Sequence, residues 1–264
     1  MKFKFDYGFT IFILFIATLY VPPIGLFLPI IKIKTMSKVP LNKVVIANIM
    51  IIVLILIFQY SFLILYLPFL IVELLYFFLK SRFLNLGVVD KINISSIVSS
   101  TILFGILLVV IKQSGVNFES MKEIYLTKTT VKIEEIEMVF NILKDNGYLL
   151  SFIYIYIMNA ILYLKMESKS IKSWKLSYLW ILPYLIMFFM KKMGILDGYI
   201  VGNIMNISKV IFIFFGMICI YKNVNKKIEN TILSRLVVII GGLLFSTAFF
   251  IYGVIKTLKN EENK

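Results

Sequence analysis

The sequence predicts an all-α fold: a polytopic transmembrane helical bundle of about eight hydrophobic segments plus one amphipathic extramembrane helix. Three observations carry that prediction. Residues Val44 to Leu79 are 36 consecutive positions with a single charge, Glu73. As one helix they would extend about 54 Å at 1.5 Å per residue, against a hydrocarbon core of about 30 Å, so they must fold back as two spans. The chain is 60% hydrophobic, above the roughly 45–50% typical of soluble domains. Long apolar runs also recur towards the C-terminal end, so residues 1–264 read as a single integral membrane domain. An extramembrane insert at about 117–147 interrupts it.

The segments fall at about 9–31, 44–59, 61–79, 94–111, 148–164, 176–190, 198–221 and 232–255. Lys2 and Lys4 ahead of FTIFILFIATLY imitate a signal peptide. No small-residue cleavage site follows and the apolar run continues to Ile31, so the first segment is expected to stay uncleaved. Pro22-Pro23 interrupts it, giving either one bent span or a span followed by a re-entrant half-helix at 24–31. Gln59-Tyr60-Ser61 is the best turn within 44–79; Pro68 marks a kink as the alternative. In the polar interval 112–147, Thr130 is a fair N-cap. Ile133, Ile136, Phe140 and Leu143 then share one helical face, with Glu134, Glu135 and Glu137 off it. Gly147 is positioned to supply a left-handed stop. This helix is expected to dock on the bundle or to lie at the interface.

The charge pattern narrows function. Net charge is +14, with 28 Lys+Arg against 14 Asp+Glu. The lysines sit in short links between apolar runs, so they read as anchors beside anionic headgroups and not as a nucleic-acid surface. Segments 32–43, 80–93, 165–175 and 222–231 hold 14 Lys/Arg and three acids, which places them on the cytoplasmic side. Loop 112–147 and the C-terminus are then external. The N-terminus joins them if all eight segments span, and returns to the cytoplasm if the first is re-entrant. Histidine is absent, which removes the commonest general base and metal ligand. The one cysteine, Cys219, lies in an apolar run and reads as a small core hydrophobe. Walker A, GxSxG, HExxH and Rossmann patterns are missing, so the chain reads as a non-enzyme without cofactor or metal.

Ionisable residues inside a membrane are costly and mark function by default. Glu73 in the third segment and Lys209 in the seventh are the two candidates. They either pair across the bundle or line a polar cavity; otherwise Glu73 is an interfacial carboxyl and Lys209 snorkels along its stem. Gly202, Asn206, Lys209, Ile213 and Gly216 share a helix face, with Asn203 and Ser208 flanking. That stripe is a helix-packing face or a ligand-lined wall. Tyr156, Asn159, Ala160 and Tyr163 form a second stripe, and Asn159 needs a partner in the bilayer core. Ser95, Ser96, Ser99, Ser100 and Thr101 form a third patch. These residues pack against a neighbour or bond to their own helix carbonyls. Trp174 and Trp180 read as interfacial anchors.

Several stretches together resemble one family. The Pro22-Pro23 break with LFLPI (27–31), FLILYLPFLIVELLYFFLKSR (62–82), SGVNFESM (114–121), SWKLSYLWILPYL (173–185) and NISKVIFIFFGMICIYKN (206–223) are similar to the YybS-like family of bacterial membrane proteins, a domain of unknown function. The chain departs from that family at its end, FFIYGVIKTLKNEENK, which lacks the family's Asp and Arg near the last span. The resemblance implies a multi-pass protein of the bacterial cytoplasmic membrane. At the level of fold it also implies a distant likeness to the substrate-binding S components of energy-coupling-factor transporters. Two functions are then expected as rivals. One is a small-molecule binding or transport subunit with Glu73, Asn159, Asn206 and Lys209 as wall residues, working with an energising transporter module. The other is a scaffold or regulator of cell-envelope processes that meets other membrane proteins through the same stripes. A lipid-modifying enzyme is a third reading, and would need carboxylates converging with a basic site.

Overall fold

The computed structural model describes residues 6–36, 41–59, 61–114, 123, 126, 133–167, 174–196, 198–228 and 230–262. Among them there is no strand. Among the described residues four helices are long and apolar enough to cross a membrane, or five if one bent pair is a single span.

The first apolar segment is α1 (Asp6–Tyr20), α2 (Pro22–Gly25) and α3 (Leu28–Met36). Val21 leaves helical geometry at φ −129° and ψ 81°, as the residue before a proline tends to, and Pro22 restarts the helix at its first position. α3 runs past Ile31 to Met36, so Lys32 and Lys34 are helical and not part of a loop. α4 (Leu41–Gln59) and α5 (Phe62–Arg82) follow. The turn falls at the expected place, and Pro68 lies buried inside an unbroken α5.

α6 is Val88–Ser114 and α7 is Ile133–Met166. The expected stop at Gly147 does not occur: Gly194 is the described glycine with positive φ. The polar helix and the helix of the fifth apolar segment instead meet across a kink at Asn146, with φ −125° and ψ 18°. The Asn203 side chain bridges that break, accepting from Leu149 N at 2.9 Å and donating to Asp145 O at 3.0 Å. A neighbouring amide thus satisfies backbone groups that a capping glycine would otherwise have left to water. The start of the expected helix at Thr130 lies outside the described residues.

A single 3₁₀ turn at Tyr178–Trp180 leads into α8 (Ile181–Met193), which is closed by Gly194 at φ 67°. α9 is Gly198–Lys227. The last apolar segment is not one straight helix. It divides at Phe245 into α10 (Thr231–Leu244) and α11 (Ser246–Glu262), bent by 106°. Asn230 caps α10 by accepting from the Ile232 and Leu233 amides.

The chain forms two compact units. Unit 1 holds Met1–Leu84, Ile94–Met121 and Tyr154–Ser168; unit 2 holds Asn85–Asn93, Lys122–Ile153 and Lys169–Lys264. The core of unit 1 gathers Ile11, Phe12 and Phe15 of α1, Leu28 of α3, Ile51 and Ile55 of α4 and Tyr66 of α5. The Phe15 and Tyr66 rings meet edge-on at 5.0 Å, a favourable aromatic geometry.

In unit 2, α9 and α11 approach with backbone against backbone. A Cβ on Gly216 would run into the Phe249 carbonyl oxygen, and one on Gly253 into the Phe212 carbonyl oxygen. Small residues at such a crossing are the usual means of bringing two helices together where lipid offers no hydrophobic drive. Trp174 is fully buried, which corrects its reading as an interfacial anchor. Trp180 is half-buried and donates from Nε1 to the Asp90 carboxylate at 2.8 Å, an oxygen that also accepts from the Ser177 amide.

A buried charged seam as the candidate functional site

The chemistry of unit 1 is organised by α5. Tyr66, Glu73, Tyr76 and Lys80 recur at steps of seven, three and four, so they share one helical face. Tyr66, Glu73 and Tyr76 are all buried, while Lys80 emerges at the exposed end. A helix that is otherwise apolar thus turns a polar line inward.

Glu73 does have a cationic partner, but it is Lys32 of α3. Lys209, the partner suggested by the sequence, belongs to unit 2 and is half-buried. Lys32 and Glu73 form an ion pair in which each residue is only 2% exposed. Lys32 also donates from Nζ to the Tyr66 hydroxyl at 2.8 Å and stands 5.2 Å from the centre of that ring. Asn48 of α4 hydrogen-bonds the Glu73 carboxylate, and Leu28 and Ile33 on α3 and Val72 on α5 are buried. Two opposite charges side by side are the form in which such a site tolerates charge at all, because each removes most of the other's desolvation cost.

The seam continues along α5. Tyr76 meets Tyr163 of α7 edge-on, with ring centres 5.2 Å apart, and its hydroxyl accepts from Lys80 Nζ at 3.2 Å. Beyond it, Asn159 of α7 closes on the serine patch of α6. Its Oδ1 accepts from Ser95 Oγ at 2.9 Å; its Nδ2 donates to Ser96 Oγ at 3.1 Å and to Ile155 O at 3.2 Å. Asn159 is fully buried and its amide is fully used. The Ser99 and Tyr163 hydroxyls are also buried and have no hydrogen-bond partner among the described residues. Tyr154 of α7 donates to Pro22 O at 3.0 Å, tying the proline break to this unit.

Replacing Asn159 by Ala removes both bonds to α6 and the bond to its own helix. Interhelical hydrogen bonds in membranes contribute modestly, since serines freed of a partner bond to their own carbonyls. The expected loss is about 1–2 kcal/mol, read as a lowered thermal-unfolding midpoint in detergent. An unchanged midpoint would show that the amide adds nothing to the packing of α6 and α7.

The stripe on α9 in unit 2 is divided by the structure. The buried line of α9 runs through Asn203, Ser208, Phe212, Phe215 and Gly216, so the residues expected to flank the stripe are the ones that face inward. Asn206 and Lys209 are half-buried. Asn206 lies on the wall of a groove of about 420 Å³ with Asp145, Asn146, Tyr199, Gly202 and Asn203, whereas Lys209 is not on that wall. The four expected residues therefore fall in two places, with Glu73 and Asn159 in the seam of unit 1 and Asn206 and Lys209 on α9.

Sequence reasoning missed Lys32 and Tyr66, and gave Asn203 only a flanking place beside the stripe. Lys32 reads from sequence as an anchoring lysine, although the run LPIIKIK sets it between isoleucines and four positions after Leu28, where a buried helical face would pass. Comparison of the chain with protein-family models, with curated proteins and with solved structures finds no match.

Proposed function

We propose that the protein is a membrane-embedded small-molecule binding or transport subunit, similar in role to an S component, with the Lys32–Glu73 pair at its working centre. One observation carries the reading: a complete ion pair is buried, with its cation on a short helix that follows a proline break. Charges at membrane depth are expensive, so they are found where substrate or ions are handled. Broken helices beside such charges are a recurrent construction of membrane transport proteins. In this reading the protein sits in the bacterial cytoplasmic membrane, needs an energising module to move its ligand, and performs no covalent chemistry.

Native purification followed by mass spectrometry tests it. The expected result is a retained small molecule, an energising partner, or both. Neither, in preparations that keep the fold, would overturn the reading. A second reading, a scaffold or regulator of cell-envelope processes, draws on the closed Asn159 network and the tight α9–α11 crossing. It would be favoured by co-purification of envelope proteins without any ligand.

A further inference from the structure

The Lys32–Glu73 pair does more than mark a site; its charge arithmetic limits what can enter there. Both residues are 2% exposed, and the charges offset each other. Any ligand that takes a place between them has to part them. A neutral ligand would leave two buried charges uncompensated, and a ligand with one charge would leave one. Leaving a single buried charge unpaired is the severe case. Only a ligand carrying an anion and a cation close together restores both partnerships and keeps the buried net charge at zero.

The way the pair is mounted suits such an exchange. Lys32 sits on α3, a helix of nine residues. α3 is separated from α1 by the non-helical residue Val21 and from α2 by the turn at Leu26–Phe27. Glu73 sits on the unbroken 21-residue α5. One charge is therefore on a short jointed element and the other on a long rigid one, so the two can part without unwinding a span.

Further polar groups of unit 1 are buried. The Tyr66 hydroxyl already bonds Lys32. One turn beyond Glu73, Tyr76 contacts Tyr163, whose buried hydroxyl is unpartnered among the described residues, as is that of Ser99. Unpaired buried polar atoms are uncommon in folded proteins and call for a partner. Asn48 of α4 hydrogen-bonds the Glu73 carboxylate, and Ile33 and Val72, the chain neighbours of Lys32 and Glu73, are fully buried.

We propose that unit 1 binds a zwitterion of the α-amino-acid type, with Lys32 taking its carboxylate and Glu73 its ammonium. The inference rests on the binding reading given above and names the ligand class of that same site. The same paired charge is present in a phosphatidylethanolamine headgroup, and the experiment separates the two sources.

The test uses the full chain in nanodiscs of phosphatidylglycerol, which carries no ammonium. Glycine, L-leucine and L-phenylalanine are titrated by calorimetry beside N-acetyl-leucine, an anion only, and leucinamide, a cation only. Leucine or phenylalanine is expected to bind, and each singly charged analogue to bind about a hundredfold more weakly or not at all. Repeating the titration in phosphatidylethanolamine nanodiscs identifies the source: loss of amino-acid binding there means that the headgroup takes the site. Binding by none of the three amino acids, or equal binding of leucine and N-acetyl-leucine, overturns the proposal. The wild-type titrations need no variant to fold. The Lys32→Met variant, where it folds, should lose discrimination between leucine and leucinamide. Native mass spectrometry keeps the two failures apart. A retained ligand with one charge or none leaves the binding reading standing and removes the zwitterion; an empty protein with no energising partner removes both.

Discussion

Lys32→Met is expected to destabilise the protein by about 3–5 kcal/mol, because it leaves the Glu73 carboxylate buried at 2% exposure without its cation. Glu73→Leu should do the same from the other side, removing the carboxylate that offsets the buried ammonium of Lys32. The informative variant is the double one. Lys32→Met with Glu73→Leu removes both charges together and replaces them with apolar volume. It should recover most of the stability lost by either single change, since a buried pair contributes little net stability over a well-packed apolar substitute. Thermal unfolding of all four proteins in one detergent gives the coupling directly. A double variant as unstable as the two singles summed would mean that the residues act independently, and the pair would lose its place at the centre of the site. A stable double variant that no longer retains ligand would separate the role of the pair in function from its role in folding.

The second large effect is expected at the α9–α11 crossing. Gly216→Leu and Gly253→Leu each place a side chain where the opposing helix has backbone: the Phe249 carbonyl in the first case, the Phe212 carbonyl in the second. A flexible side chain can step aside, but a helical carbonyl cannot do so without moving its helix. Overpacking of this kind costs about 1–3 kcal/mol in ordinary cores, and the rigid obstacle puts these variants at or above the upper end. Even alanine should be felt at both positions. Gly105 of α6 is the control, because a Cβ there meets nothing within 4 Å; Gly105→Ala should be neutral or slightly stabilising, as an alanine in a helix interior is favoured over glycine. If Gly216→Leu unfolds at the wild-type temperature, the helices are not held at backbone contact. The Phe212–Phe250 ring contact at 6.0 Å would then have to be the principal tie between them.

The parts of this fold that were legible in the sequence are those set by local chemistry. A turn was forced between Gln59 and Phe62 by the length of the apolar run, and a break at Pro22 by proline geometry. Both are present. Gly216 was legible as a small residue on a packing face. Its counterpart Gly253 was not, because pairing of two helices 37 positions apart leaves no trace in the periodicity of either. The same limit hid Lys32. A lysine at the edge of an apolar run reads as a headgroup anchor until its long-range neighbour is known, and that neighbour is 41 positions away. Gly147 failed for a different reason. The sequence offers it as a left-handed stop, but the break falls at Asn146 without a positive φ, and the Asn203 amide, 56 positions on, bonds the backbone on both sides of it. Trp174 likewise reads as an interfacial residue from its place at the end of an apolar segment, yet it is enclosed by protein.

The elbow at Phe245 bears on how the end of the chain is threaded during synthesis. α10 has 14 residues, a rise of about 21 Å, which falls short of the roughly 30 Å of hydrocarbon. At that depth the path swings through 106° and α11 sets off on a new heading. As a broken span the bent pair crosses the membrane once; as a re-entrant loop it returns to the side it entered. The odd or even parity of the passes, and with it the side on which Lys256 and Lys259 emerge, is therefore governed by this one joint. Reporter fusions in the 228–230 link and after Glu262 would read that parity as a matching or an opposite pair.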